Sequence, residues 1–119
     1  GMPELHKLTP YLGLLQNRGF KVALLTDGRM SGASGKVLAA IHTTPEAERD
    51  GQIGRIRDGD IVTIDSNSGE LKVSAEDDIA AREATPNEIA SHHAGLGREL
   101  FQPFRERASS AEEGASFFA

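Results

Sequence analysis

The sequence predicts a mixed α/β domain with a partly antiparallel portion, and three observations carry that expectation. Residues 21–26 form a short, nearly continuous apolar run, Lys21-Val22-Ala23-Leu24-Leu25-Thr26, bounded by Gly19 and Asp27-Gly28. Such a run reads as a strand buried on both faces, the kind found in parallel sheets. Residues 61–65 and 70–74 flank Ser66-Asn67-Ser68-Gly69, and the second of these alternates cleanly, which is a hairpin pattern. Helical spacing appears at both ends, in Leu8, Tyr11, Leu12 and Leu15 and again in Leu96, Leu100, Phe101 and Phe104.

In chain order, residues 3–7 suggest a helical turn. Thr9-Pro10 then opens a helix, because Thr can cap it and Pro loses nothing at the first helical position. Asn17-Arg18-Gly19 stops it. After the first strand comes a polar, glycine-rich loop over 27–36. Residues 37–41 form a second apolar run, read as a strand or a helical turn. Thr44-Pro45-Glu46 reads as a cap, a first-turn proline and an acidic first turn, so a short helix is expected to Asp50. Residues 53–56 read as a third short strand and 57–60 as a turn. Residues 75–83 read as an acidic helix stopped by Thr85-Pro86. Pro103 is expected to split the last helix near Gln102. A polar tail with Phe117-Phe118 closes the chain.

Composition narrows the function. The 119 residues suit a single domain, 1–119, able to bury a core. There is no cysteine, so this chain alone builds no disulfide, zinc–thiolate site, thiol nucleophile or cysteine-ligated cluster. The net charge of −5 argues against nucleic acid as a partner. No apolar run approaches the ~20 residues of a membrane span, so no membrane partner is expected. Gly1-Met2-Pro3-Glu4 lacks a basic start and an apolar stretch, so no signal peptide is expected and the cytoplasm is the expected compartment. Gly1 ahead of Met2 reads as either a cleavage scar or a native residue.

The loop over 27–36 is where chemistry concentrates. It holds Asp27, Arg29, Ser31, Ser34 and Lys36 among Gly28, Gly32 and Gly35. It leaves the end of a buried strand, where open α/β sheets place ligands. Glycines let backbone N–H groups approach an anion, and Arg29 and Lys36 add charge for phosphate or carboxylate. The competing reading is a surface turn of small polar residues. The loop is not a nucleotide-binding P-loop: Met30 stands where Gly is needed and Val37 where Ser or Thr is needed. The spacing around Ser31 is also not that of a hydrolase nucleophile elbow. His6, His42, His92 and His93 show no metal-ligand spacing. His42 follows an apolar run and reads either as a pocket residue or as a packed or capping one.

The run from Leu24 through Thr26-Asp27-Gly28-Arg29-Met30-Ser31-Gly32-Ala33-Ser34-Gly35-Lys36 to Val37 resembles the signature of the dihydroxy-acid and 6-phosphogluconate dehydratase family. The resemblance continues through residues 39–47, 56–61, 1–10 and Gly97-Arg98-Glu99-Leu100-Phe101, nearly the whole chain. Met30, Gly35-Lys36 and Glu4-Leu5-His6-Lys7 point to the 6-phosphogluconate branch. Leu38 departs from the proline expected there.

The resemblance implies the C-terminal domain of a much longer hydro-lyase, a barrel-like, swivelling β/β/α unit with mixed parallel and antiparallel strands and flanking helices. The partner it implies is the N-terminal domain of the same enzyme, which carries an iron–sulfur cluster of the 4Fe-4S kind and magnesium. No metal ligand is expected in this fragment. A homodimer is implied for the full-length protein. The implied reaction dehydrates 6-phospho-D-gluconate, a step of gluconate use by the Entner–Doudoroff route. By resemblance Ser31 is the base, acting as an alkoxide near the metal centre, with Gly32 needed for close approach and the 32–35 backbone donating to the developing enolate. Arg29 or Lys36 is expected to bind the substrate carboxylate or phosphate, Ser34 to hydrogen-bond the substrate, and His42 to line the pocket. Asp27 is expected to fix the loop. The fragment alone is expected to be inactive. The alternatives are a dehydratase of another sugar acid or dihydroxy acid, and a non-catalytic module that binds phosphorylated sugar acids.

Overall fold

A computed structural model describes residues 3–31, 35–86 and 94–118. It is mixed α/β, with one parallel and one antiparallel two-stranded sheet and no closed barrel among the described residues.

A 3-10 turn, His6–Leu8, leads into α1, Thr9–Asn17, with Pro10 in its first turn. Thr9 lies inside the helix and not at its cap, which is Leu8. Its hydroxyl donates to Met30 Sδ at 3.0 Å, tying α1 to the loop. The helix ends where Gly19 adopts a φ of 91°, a conformation natural to glycine.

The run at 21–26 becomes β1, Ala23–Leu25, and the run at 37–41 becomes β2, Leu38–Ala40. The two pair in parallel, Leu24 opposite Ala39. β1 is not buried on both faces: Ala23 is exposed and Leu24 and Leu25 are half-buried, because the sheet has two strands and no helix covers both sides among the described residues.

The expected helix to Asp50 is a 3-10 turn, Ala47–Arg49. Thr44-Pro45 does not cap it; Asp27 Oδ2 does so from a distance, accepting from Ala47 N at 2.8 Å. The expected third strand at 53–56 is instead a 3-10 turn, Gln52–Arg55. Helical winding brings Arg55 back onto Asp50, where Nη1 donates to the carbonyl at 2.8 Å and Nη2 to Oδ1 at 2.5 Å. Arg55 Nε also donates to Arg82 O at 2.9 Å, an anchor that an extended strand does not provide.

The hairpin forms as read: β3, Val62–Asp65, antiparallel to β4, Glu70–Val73, with Val62 opposite Val73. Asp65 Oδ1 accepts from Asn67 N at 2.8 Å and Gly69 takes a φ of 74°, closing the turn. α2, Glu76–Ala80, buries Ile79 completely. A fully buried Ile side chain contributes about 1.5–3 kcal/mol. Arg82 closes on Asp60 at 2.6 Å and so ties the end of α2 to the turn before β3. The last helix splits at the expected place, into a 3-10 turn, Arg98–Phe101, and α3, Gln102–Arg107.

The interior is thin. Met30, Val37 and Ile79 are the buried apolar side chains among the described residues, while Tyr11, Phe20, Ile61, Leu100 and Phe101 are exposed. The radius of gyration is 16.1 Å, against about 13.5 Å for a compact domain of this length. A cavity of about 480 Å³ separates Leu25, Ile53 and Ile56 from Val62 and Val73 of the hairpin.

Candidate functional site

The loop after β1 is held on both flanks. On one side it runs beside the segment after β2: Thr26 N donates to Ala40 O at 2.9 Å and His42 N to Gly28 O at 2.9 Å. On the other it pairs with residues 3–5: Arg29 N donates to Pro3 O and Leu5 N to Arg29 O, both at 2.9 Å. Gly28 sits between these flanks, buried, and a Cβ added there would lie 2.9 Å from Pro3 O. Only glycine lets the two backbones approach this closely.

Met30 points inward and anchors the loop at 8 % exposure. Ser31, the next residue, is exposed. Its amide donates to Glu4 Oε1 at 2.8 Å. Glu4 also accepts from His6 N at 3.0 Å, and its Oε2 lies 3.7 Å from Arg29 Nη1. The Ser31 amide is the main cause that holds the Glu4 carboxyl below its ordinary range, with the Ser31 side chain, the His6 amide and the Arg29 charge adding to it. Glu4 is therefore a site residue that reading the loop alone missed. The available signal was its negative charge beside a loop of cations, but its distance of 27 positions from Ser31 hid the pairing.

The structure brings Ser31, Arg29 and Glu4 together and sets the His42 backbone against Gly28. The His42 side chain is exposed, and its φ of 55° turns the chain sharply just beyond β2. Lys36 is held elsewhere, its Nζ donating to Asn17 Oδ1 at 2.8 Å while its carbonyl accepts from Gln16 Nε2 at 2.9 Å. Those contacts fasten the far end of the loop to the C-terminus of α1. Asp27 fixes the loop through Ala47, as the sequence suggested. Gly32 and Ser34 lie outside the described residues, as do His92 and His93.

No trio of His, Asp and Glu that could hold a metal ion occurs among the described residues, and the chain has no cysteine. The chain therefore offers no thiolate for an iron–sulfur cluster, and the described residues offer no group of three candidate metal ligands. Among the described residues of the loop, what is offered chemically is the exposed Ser31 hydroxyl, flanked by a guanidinium and a carboxylate, on a backbone clamped from both sides. No helix among the described residues is long and apolar enough to cross a membrane.

The model of the family described as dihydroxy-acid/6-phosphogluconate dehydratase C-terminal matches residues 1–115. The chain belongs to that family. The chain is 59 % identical over 118 residues to the phosphogluconate dehydratase of Rhizobium meliloti, and 60 % identical over 119 residues to that of Pseudomonas aeruginosa. Those alignments cover 98 % and 99 % of this chain and 19 % of each relative. The dihydroxy-acid dehydratase of Dinoroseobacter shibae is 47 % identical over 83 residues, covering 69 % of this chain and 14 % of the relative. The chain thus spans about a fifth of the length of the curated relatives it matches.

Proposed function

We propose that residues 1–119 are the C-terminal domain of a hydro-lyase that dehydrates 6-phospho-D-gluconate to 2-dehydro-3-deoxy-6-phospho-D-gluconate. The observation that carries this reading is the extent of similarity. Relatives named phosphogluconate dehydratase align over 98 % and 99 % of the chain, and the relative named dihydroxy-acid dehydratase over 69 %.

In this reading Ser31 Oγ takes the proton from C2. The C3 hydroxyl departs as water with a proton equivalent to the one removed from C2, and the resulting enol becomes the C2 ketone as its hydroxyl proton passes to C3. A serine hydroxyl is a weak base at its ordinary pKa and needs an outside influence that favours its ionised form. Glu4 does not provide it, since a second negative charge beside the hydroxyl opposes ionisation. Activation thus falls to the rest of the enzyme, and the isolated domain is inactive. Glu4 instead fixes the position of Ser31 through its amide. Of the two cations expected to bind the carboxylate or phosphate, Arg29 keeps that role, because the Lys36 amino group is held on Asn17; Gly32 and Ser34 meet the substrate from the loop, and His42 lines its edge.

The exposed Tyr11, Phe20 and Ile61 and the expanded shape support a companion N-terminal domain that covers these faces. Against it the two small sheets act as parts of a barrel-like, swivelling unit. The companion carries the 4Fe-4S cluster and magnesium, and the full-length protein is a cytoplasmic homodimer serving the Entner–Doudoroff route. The test is an assay of the full-length protein for a 2-keto-3-deoxy acid formed from 6-phosphogluconate. Robust product from the full-length protein, and none from residues 1–119, supports the reading. A full-length protein that leaves this substrate untouched refutes it.

A further inference from the structure

Four phenylalanines near the end of the chain meet in one aromatic cluster. Phe101 and Phe104 stand at the junction of the 3-10 turn Arg98–Phe101 with α3, their ring centroids 6.2 Å apart. Phe117 packs edge-on against Phe104 at 4.9 Å, and Phe118 lies 4.2 Å from Phe117. The tail is folded so as to bring them together. Ser109 N donates to Ser116 O at 2.9 Å and Ala115 N to Ser110 O at 2.8 Å, closing residues 109–116 into a loop that returns Phe117 to α3. Arg49 Nη2 donates to Ala108 O at 2.7 Å and fastens the base of that loop to the rest of the domain.

The rings are gathered yet left in water. Phe101, Phe104, Phe117 and Phe118 are 56 %, 46 %, 40 % and 86 % exposed. At about 150–250 Å² for each, they leave about 350–550 Å² of aromatic surface open. The largest apolar patch on a monomer is about 300–600 Å², and patches of that size mark interaction sites. Polar groups of the same elements are already engaged. Gln102 Nε2 donates to Glu106 Oε1 at 2.6 Å, Arg105 Nη1 to Arg98 O at 2.8 Å, and Gly95 N to Glu99 Oε1 at 2.6 Å. Covering the aromatic centre therefore leaves these groups paired, as the polar rim of an interface requires.

We infer that this patch is a surface on which the companion N-terminal domain of the same chain docks. Contacts between domains of one chain bury about 600–1,500 Å² in all, or about 300–750 Å² a side, and the patch matches that. A stable pair of free copies needs about 800 Å² from each, which the patch does not reach. A covalent link makes a smaller surface sufficient, because it holds the partner at an effective concentration on the order of millimolar. The relatives have chain to supply: this sequence covers 19 % of each, so most of their length lies outside it. The inference rests on the reading of residues 1–119 as the C-terminal part of a longer dehydratase, and adds a surface through which the two parts meet. Ala108 and Gly114 of the tail line one cavity with Arg29, so the tail packs beside the Ser31 loop. Docking on the patch thereby fixes that loop relative to the companion.

The test places a photoreactive ring in the patch of the full-length protein, as Phe101→p-benzoylphenylalanine and Phe118→p-benzoylphenylalanine made separately. Each keeps an aromatic ring at an exposed position, so the fold is retained. After irradiation, cross-linked peptides are identified by mass spectrometry. Both positions should join to residues of the same chain outside residues 1–119, in species of single-chain mass. Cross-links between two copies identify a homodimer face and overturn the inference. Cross-links confined to residues 1–119, or none, overturn it as well. Limited proteolysis gives a second readout: Phe118→Ser should speed cleavage between the two parts by about tenfold, the loss of one anchoring aromatic, with an unchanged circular dichroism spectrum. Unchanged cleavage contradicts the docking. Turnover of 6-phosphogluconate by the wild type is measured in parallel, and its absence defeats the dehydratase reading while the cross-links still decide the surface.

Discussion

Gly28→Ala probes the clamp that presents Ser31. The new Cβ would stand 2.9 Å from Pro3 O, 3.2 Å from Thr26 Oγ1 and 3.3 Å from Pro3 Cγ. The nearest of these is backbone, and it is the acceptor of the Arg29 amide. Relief therefore requires residues 3–5 to move away from the loop. Overpacking of this kind costs about 1–3 kcal/mol, and the weakened backbone bond adds about 1 kcal/mol. The stiffer unfolded chain returns about 0.4–1 kcal/mol. The net loss is about 1–3 kcal/mol, which leaves most domains folded. Because Glu4 lies in the displaced segment, the Ser31 amide loses its acceptor as well. A displacement near 1 Å at a reacting group can cost about 100-fold in rate. The expected result in the full-length enzyme is a modest drop in the thermal midpoint with a loss of turnover on that scale. Wild-type turnover together with an unchanged midpoint refutes the idea that residues 3–5 position the loop.

Gly51→Ala should be more damaging to folding, because its Cβ would fall 1.8 Å from Pro45 O and 2.6 Å from Pro45 C; soluble expression and far-UV circular dichroism report it, and a normally folded variant contradicts the packing described. Glu4 has a lowered pKa, so its hold on Ser31 is complete above the ordinary glutamate value and is lost only as pH falls through the lowered one. The protection of the Ser31 amide against hydrogen exchange, relative to the intrinsic rate at each pH, should follow that course in the wild type and no longer change over that range in Glu4→Gln. The Asp60 carboxyl is likewise lowered, chiefly by its bond from Arg82, so its contribution to stability is present above the ordinary aspartate value and is lost as pH falls through the lowered one. In acid titrations followed by circular dichroism, Asp60→Asn should flatten the fall in stability over that range, and an unchanged acid profile contradicts the pairing.

The elements legible in the sequence were those fixed by local rules. The hairpin followed from alternation around Ser66-Asn67-Ser68-Gly69, α1 from Thr9-Pro10 and its apolar spacing, and the split of the last helix from Pro103. Residues 53–56 defeated the same rules because their apolar content suits a strand, while the winding is set by the contacts of Arg55 with Asp50 and with Arg82, 27 positions away. At the site, the loop and Ser31 were visible as a local cluster of charge, hydroxyl and glycine. Glu4 was not, because its role arises from pairing of residues 3–5 with Arg29 across the fold. Lys36 illustrates the converse: it is close to Ser31 in sequence, yet the structure carries its amino group to Asn17 on α1.

Ser31→Ala in the full-length enzyme tests the proposed base most directly. The substitution removes one exposed hydroxyl and leaves in place the Ser31 amide that Glu4 holds. Turnover of 6-phosphogluconate should be abolished while the visible absorption of the cluster proposed for the companion domain and the thermal midpoint stay at their wild-type values. Near-normal turnover by that variant would contradict the assignment of Ser31 as the group that takes the C2 proton.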